Sequence, residues 1–185
     1  MNDLTGQLLI AMPGMPDPRF EHSLVYLCAH SAEGAMGLIV NKPSADVTFG
    51  NLIEQLSIEG PDDLRDTRVH FGGPVELGRG FVLHSPDFRS EMTTLNVDDS
   101  FAMTGTLDVL ENIAQGKGPV KRLIVLGYAG WGPGQLEDEI AGNGWLTCDA
   151  NTDLVFDTED SQKWEAALGT LGVSPLALSA EGGRA

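Results

Sequence analysis

Residues 122–140, RLIVLGYAGWGPGQLEDEI, run from an apolar stretch through a glycine-rich turn into the start of an acidic helix. That order outlines a phosphate-binding loop, in which backbone N–H groups and a helix N-terminus face the anion. The residues themselves refuse that chemistry. G-x-G-x-x-G would need glycine where Gln135 stands, and no G-K-[ST] follows. Glu137, Asp138 and Glu139 already complement the positive end of the helix dipole and would repel a phosphate. The glycines read instead as a tight strand-to-helix turn. At about 100° per residue, Leu136 and Ile140 define the inward stripe of this helix, and Asp138 points away from it. Glu139 and Asn143 border the stripe, so both are expected to be half buried with partners. Such a carboxylate could act as an acid or base, but a structural hydrogen bond is the better-supported role.

Other chemistry is sparse. His22, His30, His70 and His84 show no HExxH, HxH or Cys/His spacing, so no metal site is expected. His22 and His30 would lie about 27 Å apart along an extended strand, too far to share an ion. There is no GxSxG elbow, and neither Cys28 nor Cys148 has a nearby histidine in a sensible setting for covalent catalysis. Both cysteines sit in apolar runs and read as buried, reduced thiols. The corner VHFGGPVELGRGFVLH frees its backbone with Gly72, Gly73, Gly78 and Gly80 and stiffens it with Pro74. Arg79 lies within it. An anionic ligand is one partner for that guanidinium, but an ion pair with one of the chain's carboxylates is preferred.

These residues must be positioned by strands and helices in alternation. Residues 7–12, 68–71, 80–85, 122–128 and 144–149 read as strands. The runs 23–30 and 35–41 read as a hairpin buried on both faces, because so short a turn joins only antiparallel strands. Helices are expected over 48–58, with Thr48 as N-cap and Phe49, Leu52, Ile53 and Leu56 inward, and over 105–115, with Leu107, Leu110, Ile113 and Ala114 inward. Two more are expected over 134–142 and about 160–171, the last burying Trp164, Ala167, Leu168 and Leu171. A short strand at PLALS and a frayed tail over 179–185 would end the chain. Strands outnumber helices without strict alternation, so a mixed α+β fold is expected, in one domain spanning residues 1–185.

The charge narrows the function. With 11 Lys and Arg against 27 Asp and Glu, the net charge is −16. DNA and anionic membranes would be repelled at long range. Hydrophobic residues make up 42% and charged residues 21%, a globular composition. No run approaches the roughly 20 apolar residues of a membrane span, and the N-terminus lacks the basic region of a secretory signal, so a cytoplasmic protein is expected.

Three blocks carry a resemblance: LTGQLLIAMPGMPDPRFEHSLVYLCAHSAEGAMGLIVNKP, VHFGGPVELGRGFVLHS and LGYAGWGPGQLEDEIAGNGWLTCD. In this order they resemble the bacterial YqgE/AlgH family, over about residues 4–178. The matching positions include Asn41-Lys42-Pro43, Gly72-Gly73-Pro74, Arg79-Gly80-Phe81, Gly130-Trp131, Gly134-Gln135-Leu136-Glu137, Asn143 and Trp145. The resemblance implies an α+β fold with a bifurcated, partly barrel-like sheet surrounded by helices. It implies no agreed activity and no cofactor. One branch carries a name linked to regulation of alginate production, but the label of transcriptional regulator is not carried over to a chain this acidic with no basic recognition helix.

The reading is therefore a non-catalytic cytoplasmic binding or regulatory protein, acting on an unidentified protein or small molecule, with direct nucleic-acid and membrane contact disfavoured. Its candidate surface comprises Asn41, Pro43, Gly72, Gly73, Pro74, Arg79, Trp131, Gln135, Glu137, Glu139, Asn143 and Trp145. The two glycine corners are expected to be neighbours, with Arg79 bridging to Glu137 or Glu139 beside a cleft lined by Trp131. The rivals are an enzyme using Glu137 or Glu139 as acid/base, and a DNA-binding regulator.

Overall fold

The computed structural model describes residues 3–13, 17–90 and 94–175. The expected PLALS strand (apart from Pro175) and the frayed tail lie outside them. The fold is mixed α+β: a curled, mostly antiparallel sheet with helices packed around it. The sheet opens with β1 (Gln7–Ala11) and continues with the expected hairpin, β2 (Leu24–Ser31) and β3 (Gly34–Ile39). Ser31 pairs with Gly34, so the turn is only two residues, and the Ser31 hydroxyl accepts a bond from the Glu33 N–H at 3.1 Å. After β4 (Pro43–Thr48), α1 (Phe49–Gln55) starts at Thr48, whose hydroxyl accepts from the Asn51 N–H while the Asn51 amide oxygen accepts from the Thr48 N–H. Next come β5 (Arg68–Phe71), β6 (Val75–His84), β7 (Leu95–Asn96) and β8 (Ala102–Thr104). The chain continues through α2 (Leu107–Ala114), β9 (Arg122–Trp131), α3 (Gln135–Ala141), β10 (Trp145–Asp149) and α4 (Asp160–Thr170), with a wide helical turn at Asp153–Asp157 before α4.

The sheet forks at β9. Along one side β9 pairs antiparallel with β6. On the other side its first half runs parallel to β5, with Val69 opposite Ile124, and its last residues run antiparallel to β3, with Ala35 opposite Trp131. Gly72 sits in the crotch: its N–H donates to Leu126 O and its carbonyl accepts from the Ile39 N–H, both at 2.8 Å. A Cβ on Gly72 would lie 2.3 Å from Gly127 O, and one on Gly73 would lie 2.1 Å from the Tyr128 carbonyl carbon. Gly127 itself turns at φ +78°. Strand alternation then shares β9 among three apolar clusters. Leu123 and Val125 join the cluster under α4, Ile124 joins that under α1 and α2, and Ala129 and Trp131 join that under α3.

Several expectations need correction. β6 starts at Val75 and β9 runs to Trp131, so most of the first glycine corner and the beginning of the second are strand. Strands β4, β7 and β8 were not expected. Leu107 and Leu171 face solvent, and Leu56 is partly exposed, because α1, α2 and α4 are shorter than their periodicity suggested. Among the described residues no helix is long and apolar enough to cross a membrane.

Candidate functional site

α3 is positioned by the GPG turn, where Gly134 takes a left-handed φ of 75° as N-cap. Its register aims Glu139 between two tryptophans that come from different strands. Oε1 of Glu139 accepts from the indole N–H of Trp131 at 3.1 Å and of Trp145 at 3.0 Å, and Oε2 accepts from the Gln135 amide at 2.8 Å. Gln135 also accepts from the Gly132 N–H at 3.0 Å. The two indoles meet edge-to-face at 6.0 Å. Glu139 is thus half buried with partners, as its place on the helix implied. Asn143 is not: it is exposed and holds a left-handed φ of 62° at the end of α3. Asparagine tolerates that conformation better than most residues, and its site demands the backbone shape rather than a buried amide.

Glu137 pairs with a histidine that its sequence position gave no reason to choose. The Leu4 N–H donates to His30 Nδ1 at 3.0 Å, so the ring proton sits on Nε2 and points at Glu137 Oε1, 2.9 Å away. The His30 ring is buried, whereas Glu137 remains about one-third exposed.

Arg79 is the clearest correction. It pairs with neither Glu137 nor Glu139. Its guanidinium lies 3.5 Å from Glu76, three residues back on the same strand, and 5.0 Å from the Phe81 ring centroid. Both charged side chains are more than half exposed. The bridge expected between the glycine corners is absent: Glu137 is engaged by His30, and Glu139 by the two indoles and Gln135.

The corners are nonetheless neighbours, since Val75 pairs with Tyr128 across the fork. Arg79 and Trp131 line one open concavity of about 640 Å³, together with Phe81, Tyr128, Met36 and Met103. The remaining candidates serve the scaffold. Asn41 accepts from the Leu24 N–H at 2.9 Å and donates to His22 O at 2.8 Å, extending the β2–β3 pairing by one side chain. Pro43 opens β4 opposite His70, and Gly72, Gly73 and Pro74 form the fork corner.

Sequence reasoning missed a second constellation. Asp160 accepts from His70 Nε2 at 3.0 Å, from Lys163 at 2.9 Å and from Arg68 at 3.2 Å. Lys163 is essentially buried and also donates to Val40 O at 2.7 Å. Burial alone would raise the Asp160 carboxyl, but the bonds from His70 and Lys163 win and hold it well below the usual carboxylate range. Burial pulls Lys163 down from the lysine range. The Asp160 carboxylate 2.9 Å away opposes that pull and favours the ammonium form. A signal existed: Asp160, Lys163, Trp164 and Ala167 share one helical stripe. Cys28 and Cys148 are buried and free, and burial pushes the Cys28 thiol up to about 12.

The Glu139 clamp carries a stability prediction. Glu139→Ala strands two indole N–H groups, of which Trp131 is 7% and Trp145 2% exposed. Urea denaturation should show a loss of about 3 kcal/mol. Glu139→Gln, which keeps an acceptor oxygen, should lose about 1 kcal/mol.

A family model described as AlgH-like matches residues 8–176. A UPF0301 protein of Ruegeria pomeroyi is 58% identical over 184 residues, 99% of this chain and all of that one. A UPF0301 protein of Cereibacter sphaeroides is 56% identical over 183 residues, with the same shares. The solution structure of the AlgH protein from Pseudomonas aeruginosa superposes with a TM-score of 0.82 at 42% identity, covering 97% of this chain and 94% of that one. A crystal structure of a Corynebacterium diphtheriae protein shares the fold, with a TM-score of 0.70 at 20% identity over 89% and 85% of the two chains. The chain belongs to the AlgH-like family.

Proposed function

We propose that this AlgH-like chain is a non-catalytic binding protein whose recognition surface is the concavity beside Arg79 and Trp131. The observation that carries the reading is the pairing of an exposed guanidinium with an aromatic, methionine-lined hollow. Aromatic faces and methionines supply adaptable apolar contact. Arg79 supplies a directed positive charge in a chain of net charge −16. An anionic group on an apolar or aromatic body, from a small molecule or a protein side chain, suits that combination.

The acid/base alternative draws less support. Both oxygens of Glu139 are held by three donors, and Glu137 is held by His30. A general base would have to surrender those bonds before taking a proton. The charge keeps direct DNA regulation disfavoured. The two buried free thiols fit a reducing cytoplasm.

Titration with the aromatic sulfonate 1-anilinonaphthalene-8-sulfonate tests this reading. Wild-type protein should bind the dye saturably, one per chain. Arg79→Ala should keep the circular dichroism spectrum and weaken the dye about tenfold, the loss of one charge-assisted bond. Equal affinity for both proteins would overturn the reading.

A further inference from the structure

Arg79 also stands at the mouth of a second, narrower cavity. α1 and α2 lie on the same face of the sheet, over the Val82 and Ile124 side of β6 and β9. Between the helices runs a crevice of about 270 Å³, walled by Leu52 of α1, by Leu56 just past its end, and by Val109 and Leu110 of α2. Leu56 and Leu107, the first residue of α2, are partly exposed at its edges, 37% and 52% respectively.

Two features point to the occupant. The first is shape. The crevice is smaller than the roughly 300–1,000 Å³ of drug-sized sites, and it is lined mainly by aliphatic side chains. It suits a flexible hydrocarbon chain better than a ring system or a nucleotide. The second is charge. The chain has 27 acidic residues, yet among the described residues none lines this crevice, and Arg79 is the sole charged one that does. Arg79 lies on a stretch of β6 released from the sheet: Val75 pairs with Tyr128 and Gly80 with Leu126, so the residues between bulge outward. Its one ionic partner there, Glu76 at 3.5 Å, is exposed and weakly held.

We infer that this crevice binds a medium-chain acyl carboxylate, of roughly eight to ten carbons, with its chain between α1 and α2 and its carboxylate on Arg79. The inference deepens the binding reading by naming a ligand class. It shares Arg79 and Phe81 with the aromatic concavity, but the helix leucines and valine wall only the crevice and Met36 and Met103 only the concavity, so the two can fail separately.

The probes are decanoate below its micelle concentration and the uncharged decanol, titrated by calorimetry and by methyl NMR. Decanoate should bind the wild type and shift the methyls of Leu52, Val109 and Leu110, leaving Met36 and Met103 in place. Arg79→Gln should weaken decanoate about tenfold and decanol less than twofold. Leu56→Asp, an exposed change at the rim, should weaken decanoate at least tenfold and decanol about threefold. Absence of decanoate binding, equal affinity of wild type and Arg79→Gln, or shifts confined to Met36 and Met103 would each overturn the inference. The last of these would leave the aromatic concavity standing. Sedimentation with phosphatidylglycerol vesicles should show no binding. Co-sedimentation that Leu56→Asp abolishes would make the crevice a membrane contact and overturn the soluble-ligand assignment.

Discussion

Alanine at Gly73 is expected to cost the fold about 4 kcal/mol or more, enough to leave little folded protein. The new Cβ would sit 2.1 Å from the Tyr128 carbonyl carbon and 2.2 Å from its oxygen, backbone atoms that cannot swing aside. The residue also holds φ +151°, which an L side chain rarely adopts. Yielding would push β9 away at the point where it exchanges β5 for β3, so the strain falls on the joint of the sheet. Gly78→Ala is the matched control, since its Cβ would meet nothing within 4 Å. It should be neutral, or stabilising by up to about 1 kcal/mol through the stiffer unfolded chain. Urea unfolding of the two variants separates a steric joint from a general glycine effect.

Asp160→Asn is expected to lose about 3–5 kcal/mol, because it leaves the buried Lys163 ammonium without its counter-charge. The same carboxylate predicts a pH dependence. Its folded pKa lies below the unfolded value of about 3.9, so the unfolded chain takes up the proton first as pH falls. The Asp160 contribution is therefore complete above about pH 5 and drains away as pH falls toward the folded value. In Asp160→Asn the slope of stability against pH below about pH 5 should be shallower than in the wild type. Equal slopes would show that this cluster does not set the acid limb.

Local patterning made much of the fold legible. The β2–β3 hairpin follows from two apolar runs and a short polar turn, and Thr48 announces α1 through its capping hydroxyl. What local patterning could not show was the continuation of a strand through its glycines. The expected strand 122–128 takes in Gly127, which makes the fork, but stops short of Gly130, which pairs with Met36. The site divided in the same way. Glu139 could be placed from the helix stripe, but its partners Trp131 and Trp145 lie eight residues before and six after it, at no helical spacing. Arg79 was assigned across the corners when a nearer carboxylate, Glu76, stood three residues back. The pairs His30–Glu137 and His70–Asp160 span 107 and 90 residues, and only the folded sheet brings them together.

The account turns on where an apolar anion settles. The most direct measurement is a pair of spectra, with and without 1-anilinonaphthalene-8-sulfonate, on protein labelled at the methionine methyls and tryptophan indoles. Binding at the recognition surface predicts shifts at Met36, Met103 and the Trp131 indole, with the Trp164 indole, which donates to Ala11 O at 2.9 Å and does not line the concavity, unchanged. Saturable shifts at Trp164 that leave Met36, Met103 and Trp131 in place would contradict it.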